Sequence, residues 1–406
     1  MRERARVIGL VGALGARPSV TVQRMRLCTI LLVLGACGDN QVSVDAQIAS
    51  DAAQDGRTAS WSPAITISDP ANASFLPVLA VRGGRLIVAW HDFPAGGSTS
   101  RVVFRSIQGG GVAGPIEVVP ETLGSPKRPA IVATSHGFVL AWDAIDNGVS
   151  VIRSIDLDSD GHTIGTPVTI SAPGVSGLVP RIAAYKDDLV YAWTNGSQHY
   201  FARRGPVETV AATAVGTTLL SGGILNFPRV AVTSSGTILL AYRDGGAQPS
   251  DWDVLLVIRE IGGTFMGPLD VSRSAGLLSD DISLAIEPGD KLDLVWVDQD
   301  PVDVNSFEVT HATRDASGLV SVPSRFGTQS TMTWTPSAAP GLTAAWHSGS
   351  GAGGDLWLAL AGGAPQPILP GEQGAMSALQ QDDSGALHFA YTTIASPRQV
   401  RYTLRH

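Results

Sequence analysis

The stretch PRIAAYKDDLVYAWTN, Pro180 to Asn195, decides the fold. It reads as an apolar run, a charged turn, a second apolar run ending in Ala-Trp, and a polar break. Short apolar runs bounded by turn residues are strand punctuation. Slid along the chain, its second half finds the relatives LIVAW (86–90), FVLAW (138–142), LVYAW (189–193), ILLAY (238–242), LDLVW (292–296), LTAAW (342–346) and LHFAY (387–391). Their final aromatics are 52, 51, 49, 54, 50 and 45 residues apart. A period near 50 that fills the chain marks repeats rather than separate domains.

Each unit parses into four short apolar runs; in the third they are RIAAY (181–185), LVYAW (189–193), QHYFARR (198–204) and PVETVA (206–211). No sustained helical periodicity follows residue 60. Four antiparallel strands per unit, repeated radially, predict an all-β fold, a seven-bladed β-propeller over 61–406. The opening run WSPAITIS (61–68) matches the fourth run of later units, GPIEVV (114–119), TPVTIS (166–171) and GPLDVS (267–272). The chain ends on a third run, QVRYTLR (399–405). The first strand is therefore expected to complete the last blade and leave no open seam.

The Ala-aromatic pair has a packing reason. A second strand sandwiched between neighbouring sheets is apolar on both faces, and successive side chains point to opposite faces. Ala admits a close neighbour on one side and the aromatic fills the other. Five of the nine Trp occupy this position and read as core; stacking on carbohydrate is the alternative.

This rhythm resembles the sialidase-like repeat propellers, with WSPAITIS and AWHD (89–92) as the local matches. The family's Asp-box turn is degenerate here, its nearest counterpart being DLDSDGHTI (156–164). Sialidases carry six blades, so the resemblance implies fold more than activity.

The first 60 residues read differently. Met25-Arg26, the apolar run LCTILLVLGA (27–36) and Cys37 form an export signal. The ending Leu34-Gly35-Ala36-Cys37 resembles the lipobox of bacterial lipoproteins and implies lipid attachment at Cys37; a plain signal peptide with an incidental cysteine is the alternative. Residues 1–24 are then an extended n-region or precede the true start at Met25. The expected organisation is a signal at 25–36, a polar flexible tether over 37–60, and the propeller. The only cysteines are Cys28 and Cys37, so no disulfide is expected in the domain although it is exported. The expected address is the bacterial cell envelope, at the outer membrane or cell surface.

Removing the six Arg and one Glu of residues 1–36 from the 28 basic and 36 acidic residues leaves 22 and 35, a net charge of −13. Such a surface repels phosphate backbones, so nucleic acid is not an expected partner. Membrane contact is expected through the lipid alone, and the domain is expected to be a monomer.

In a propeller the start of the inner strand and the end of the second strand face the same side. Arg181 and Arg229 begin inner strands, and Asp92, Asn195, Asp244 and Asp298 stand two residues past the aromatic. These six are the expected ligand site at the channel mouth, where paired arginines suit an anion. Arg128, Arg243 and His91 lie nearby in sequence, Arg128 out of register. Salt bridges between blades and Asp turns are the competing reading. Asp156, Asp158 and Asp160 have the spacing of a calcium loop, but position twelve would be Pro167, which excludes an EF-hand; an ordinary Asp-Gly hairpin turn is the expected reading, a different calcium-binding turn is the alternative, and no other cofactor is expected. GGGVAG (109–114) and GSGAGG (349–354) lie between strands, the wrong context for dinucleotide binding. The expected function is a binding or scaffold module for a glycan, peptide or protein of the envelope. A sialidase-like glycoside hydrolase and a structural part of an envelope complex are the alternatives.

Overall fold

The structure, a computed structural model, describes residues 59–406 apart from 109–110, 197, 216–226, 246–251, 274–276, 301, 304–305, 330–332 and 350–352; at 244–245, 327–329 and 333–335 only the backbone is described. The export signal, Cys37 and nearly all of the tether thus lie outside the described residues. Every regular element among the described residues is a β-strand.

The strands form a β-propeller of five discrete blades, not seven. Each is a meander that runs outward from an inner strand; the inner strands are Ala73–Arg82, Gly124–Ala133, Leu178–Tyr185, Arg229–Val232 and Leu278–Ile286. The remaining strands join in one continuous eight-stranded sheet, which includes Thr333–Ala339, Thr343–Ser348, Gly354–Ala359, Gln373–Gln381, Leu387–Thr393 and Val400–Arg405. The pairs Gly354↔Gly374 and Asp355↔Gln373 stitch it together. Two features of the sequence cause the fusion. The outer strand Gln366–Pro367 is only two residues long, and Pro has no N–H with which to extend a ladder. Glycines let the backbones meet at this seam: a Cβ on Gly353 would sit 2.8 Å from the Gly374 carbonyl oxygen, and one on Gly374 3.1 Å from Leu356 Cδ2. Spacing of aromatics counts hairpins and is blind to hydrogen bonds between them, which is why it overcounts discrete blades.

The N-terminal run pairs antiparallel with the last strand, Ile65 opposite Tyr402 and Thr66 opposite Arg401. The Ser62 N–H adds a bond to the Leu404 carbonyl at 2.7 Å. The inner strands pack side by side in a closed ring, each on the next, with Gln373–Gln381 returning to Ala73–Arg82. Their inner edges line a central channel.

Between the sheets lies the core. Trp90, Trp142, Trp193, Trp296, Trp346 and Tyr391 are fully buried and Tyr242 nearly so, as are Ala89, Ala141, Ala192, Ala241, Ala345 and Ala390 beside them. The tryptophans are thus packing residues rather than a stacking platform. His199 is also fully buried, with its ring 4.6 Å from Tyr242 and neither ring nitrogen hydrogen-bonded. Burial, and next the Arg243 charge, push its pKa down to about 4.

Most inner strands carry the same irregularity. The register slips between Phe75 and Val78, Lys127 and Ala130, Leu178 and Arg181, Asp280 and Ser283, Trp334 and Ser337, and Ala375 and Ala378. In these bulges Leu76, Arg128, Val179, Asp281 and Met376 take φ of 54°, 51°, 55°, 50° and 50°. Left-handed backbone is costly for such residues, most of all for β-branched Val179. A bulge bends its strand and re-aims the side chain it carries.

Two outcomes follow. Trp142→Ala empties a site where the indole also donates to Glu121 Oε2 at 2.9 Å, and should cost about 3–5 kcal/mol in denaturant unfolding. Because the folded pKa of His199 lies below the unfolded value, the unfolded chain takes the proton first, and this contribution to stability is lost as pH falls from about 6.5 towards 4. His199→Phe should therefore gain in melting temperature over wild type as pH is lowered from 7.5 to 4.5; a constant difference would contradict this.

Candidate functional site at the channel mouth

The bulges sit at one end of the channel and surround a cavity of about 280 Å³. Three successive inner strands place Arg128, Arg181 and Arg229 on its wall, the next places Asp281 and Ser283, and the far wall carries Leu76, Pro77, Pro336, Met376 and Ser377. The arginines therefore share one arc of the mouth, opposite a largely apolar arc.

Their partners differ. Arg128 is held by a bidentate pair, Nε and Nη2 donating to Oδ1 and Oδ2 of Asp143 at 2.9 and 2.8 Å. Asp143 is fully buried and also accepts the Val179 N–H at 3.4 Å. It thus ties the Arg128 side chain to the bulge of the next blade. Burial pushes its carboxyl up, against the pull of Arg128.

Arg181 and Arg229 have no such partner. Arg181 Nη1 donates only to the neighbouring Pro180 carbonyl, at 2.8 Å. Arg229 Nη1 is buried with no hydrogen-bond partner. Among the described residues neither makes an ion pair. Burial, and then the Arg229 and Arg128 charges, push the Arg181 guanidinium well down. Burial pushes Arg229 down to about 10, with Asp281 and Asp280 opposing. Arginine nevertheless keeps its proton at neutral pH, so both are cations whose desolvation is not offset by a bound carboxylate of the protein. The same field reaches His91 behind the wall, pushed down to about 4 by burial and then by Lys127 and Arg128.

Asp281 is positioned through its neighbour. Its N–H donates to Asp280 Oδ1 at 2.8 Å, and Asp280 pairs with Arg243, whose guanidinium lies 4.1 Å from the Trp252 ring centroid. Burial and the adjacent Asp281 charge push Asp280 up to about 6.

Of the six expected site residues, the cavity brings together Arg181 and Arg229. Asp92 lies elsewhere, buried, accepting from Asn72 Nδ2 and Ser74 Oγ at 3.0 and 2.8 Å and from Arg101 Nε at 2.9 Å. Asp298 accepts from Ser279 Oγ, Trp296 Nε1 and Thr310 Oγ1 at 2.6, 2.8 and 2.6 Å. The Asn195 side chain accepts the Gln198 N–H and donates to the Tyr200 hydroxyl. The Asp244 side chain lies outside the described residues. Two residues past the aromatic is the same face of the strand as the aromatic, so Asp92 and Asp298 turn into their own blades. That much was readable in the sequence.

Arg128 and Asp281 were missed for another reason. Counting in register leaves Arg128 off the mouth, but the bulge inserts the residue that brings it there. The PKRP run (126–129) was the one local signal.

In the degenerate Asp-box turn, Asp158 Oδ1 accepts the N–H groups of Asp160 and His162, both at 2.9 Å, and Asp160 pairs with Arg85 at 2.8 Å. Among the described residues no group of three His, Cys, Asp or Glu is placed to hold a metal ion.

No protein-family model matches the chain, and no curated protein does. Solved structures do match its fold. A Dyadobacter fermentans protein of unknown function is 11% identical with a TM-score of 0.53, over 86% of this chain and 99% of that one. An α-L-arabinanase of Penicillium chrysogenum, complexed with arabinobiose, is 13% identical with a TM-score of 0.53, over 85% and 98%. A PL25 ulvan lyase is 8% identical with a TM-score of 0.57, over 83% and 95%. At these identities the likeness is one of fold.

Removing Asp143 should leave Arg128 as an uncompensated charge. Asp143→Ala is expected to cost about 3–5 kcal/mol in chemical denaturation; a loss below about 1 kcal/mol would mean that water replaces the pair freely.

Proposed function

We propose that the domain is a binding module that takes an acidic saccharide end group, one carrying a carboxylate, into the channel mouth. The observation that carries this is the unpaired state of Arg181 and Arg229 on one wall of a cavity. Two guanidiniums with free donors suit a carboxylate, and a partly buried site strengthens each bond. The volume of about 280 Å³ falls at the lower edge of small-ligand pockets, roughly 300–1,000 Å³, and fits one ring better than a long chain. The glycan-active propellers that share the fold favour a saccharide over other acids.

Chemistry at the mouth is less well supported than binding. Glycoside hydrolysis calls for two facing carboxylates, and Asp281 is the one carboxylate among the described lining residues. No His, Tyr or Lys stands among them to take a proton. Lipid attachment through Cys37 and a polar tether would hold this module at the cell envelope, where acidic glycans are met.

The test is an acidic-glycan array, with fluorogenic glycosides beside it, on residues 38–406. The double variant Arg181→Ala, Arg229→Ala should lose at least about a hundredfold in affinity. Because it relieves the repulsion of two unpaired cations, its melting temperature should match or exceed that of wild type. Undiminished binding, or turnover that survives the double change, would sink the reading.

A further inference from the structure

We infer that Asp281 is a charge filter that restricts the channel mouth to monoanions, so that the site accepts a carboxylate or sulfate ester and rejects a phosphate monoester. This rests on the anion-binding reading of the same cavity and adds its selectivity.

The argument begins with the charges that face the cavity. Arg128, Arg181 and Arg229 contribute three positive charges and Asp281 one negative. Asp143 cancels Arg128, and Asp280 behind the wall cancels Arg243. One net positive charge remains. A monoanion neutralises it; a phosphate monoester, at about −1.5 to −2 near pH 7, leaves an uncompensated negative charge in a partly desolvated site.

Asp281 is held where it can act. It follows Asp280 in the bulge with φ of 50°, a left-handed conformation that non-glycine residues seldom adopt. Both unpaired arginines feel its field, so it is their shared counter-charge. The facing wall cannot take over that role. Leu76, Pro77, Pro336 and Met376 bring no charge, and Ser377 brings a buried hydroxyl without a partner. That hydroxyl suits a neutral group of the ligand. A simple anion sink would gain from lacking Asp281; its presence beside two free arginines makes sense as discrimination.

The test compares three ligands of one ring size by calorimetry at pH 7.5 and fixed ionic strength: glucuronate, glucose 6-sulfate and glucose 6-phosphate. Wild type should bind the first two at least about tenfold more tightly than the phosphate, since like-charge juxtaposition is costly. Asp281→Asn should remove or invert that preference, and Asp281→Glu should keep it. Ala378→Lys adds a positive charge from the cavity wall without touching Asp281, and should shift selectivity the same way as Asp281→Asn if that variant fails to fold. An unchanged ratio in the charge variants, or a wild-type preference for phosphate, overturns the filter while leaving the anion site standing. Binding of all three ligands unaffected by Arg181→Ala, Arg229→Ala, or no binding at all, removes the anion site and the filter with it.

Discussion

The structure depends on how closely its sheets can approach through their second strands. Ala89, Ala141, Ala192, Ala241, Ala345 and Ala390 supply a small side chain on one face, and a Trp or Tyr fills the other. Larger residues at the Ala positions would hold the sheets apart; smaller ones at the aromatic positions would leave cavities that cost several kcal/mol each. This constraint, met by Ala in six of the seven repeats and by Val295 in the other, fixes the inner strands against one another. A central channel follows from it, because inner strands so placed cannot converge further.

The bulges turn that scaffold into a site. Regular inner strands would continue pairing without interruption towards the mouth. The inserted left-handed residue interrupts the ladder in five of the inner strands, at similar depth. It brings Arg128 level with Arg181 and Arg229 and sets Asp281 on the adjacent wall. Backbone strain of this kind persists only where the surrounding packing over-determines it, and the buried Asp143, bonded to Arg128 and to the Val179 N–H, is part of that packing.

Two kinds of arginine result, and the difference matters for function. Arg128 is satisfied within the protein. Arg181 and Arg229 are desolvated and, among the described residues, have no ion-pair partner, a state that lowers stability unless something binds. Structural ion pairs such as Arg203 with Asp188, both fully buried at 2.7 Å, show that the fold can neutralise an arginine where it needs to. What distinguishes the mouth is that two arginines without an ion pair stand on adjacent strands of one cavity wall.

The sequence by itself determined the all-β repeat, the buried Ala-aromatic pairs, the pairing of the first strand with the last, and the placing of Arg181 and Arg229 on inner strands, although Arg181 stands fourth in its strand rather than first. All of these are periodic or local, and side-chain alternation along a strand is a rule that sequence obeys directly. Tertiary structure alone decided the rest. The fusion of the last hairpins into one eight-stranded sheet depends on hydrogen bonds between Gly354–Ala359 and Gln373–Gln381, which no spacing of aromatics reports. Side-chain alternation turns Asp92 and Asp298 inward, but which groups satisfy them there, such as Ser74 and Thr310 on neighbouring strands, is decided by the folded sheet. The convergence of Arg128 and Asp281 depends on a register slip, and a slip of one residue moves a side chain to a different face.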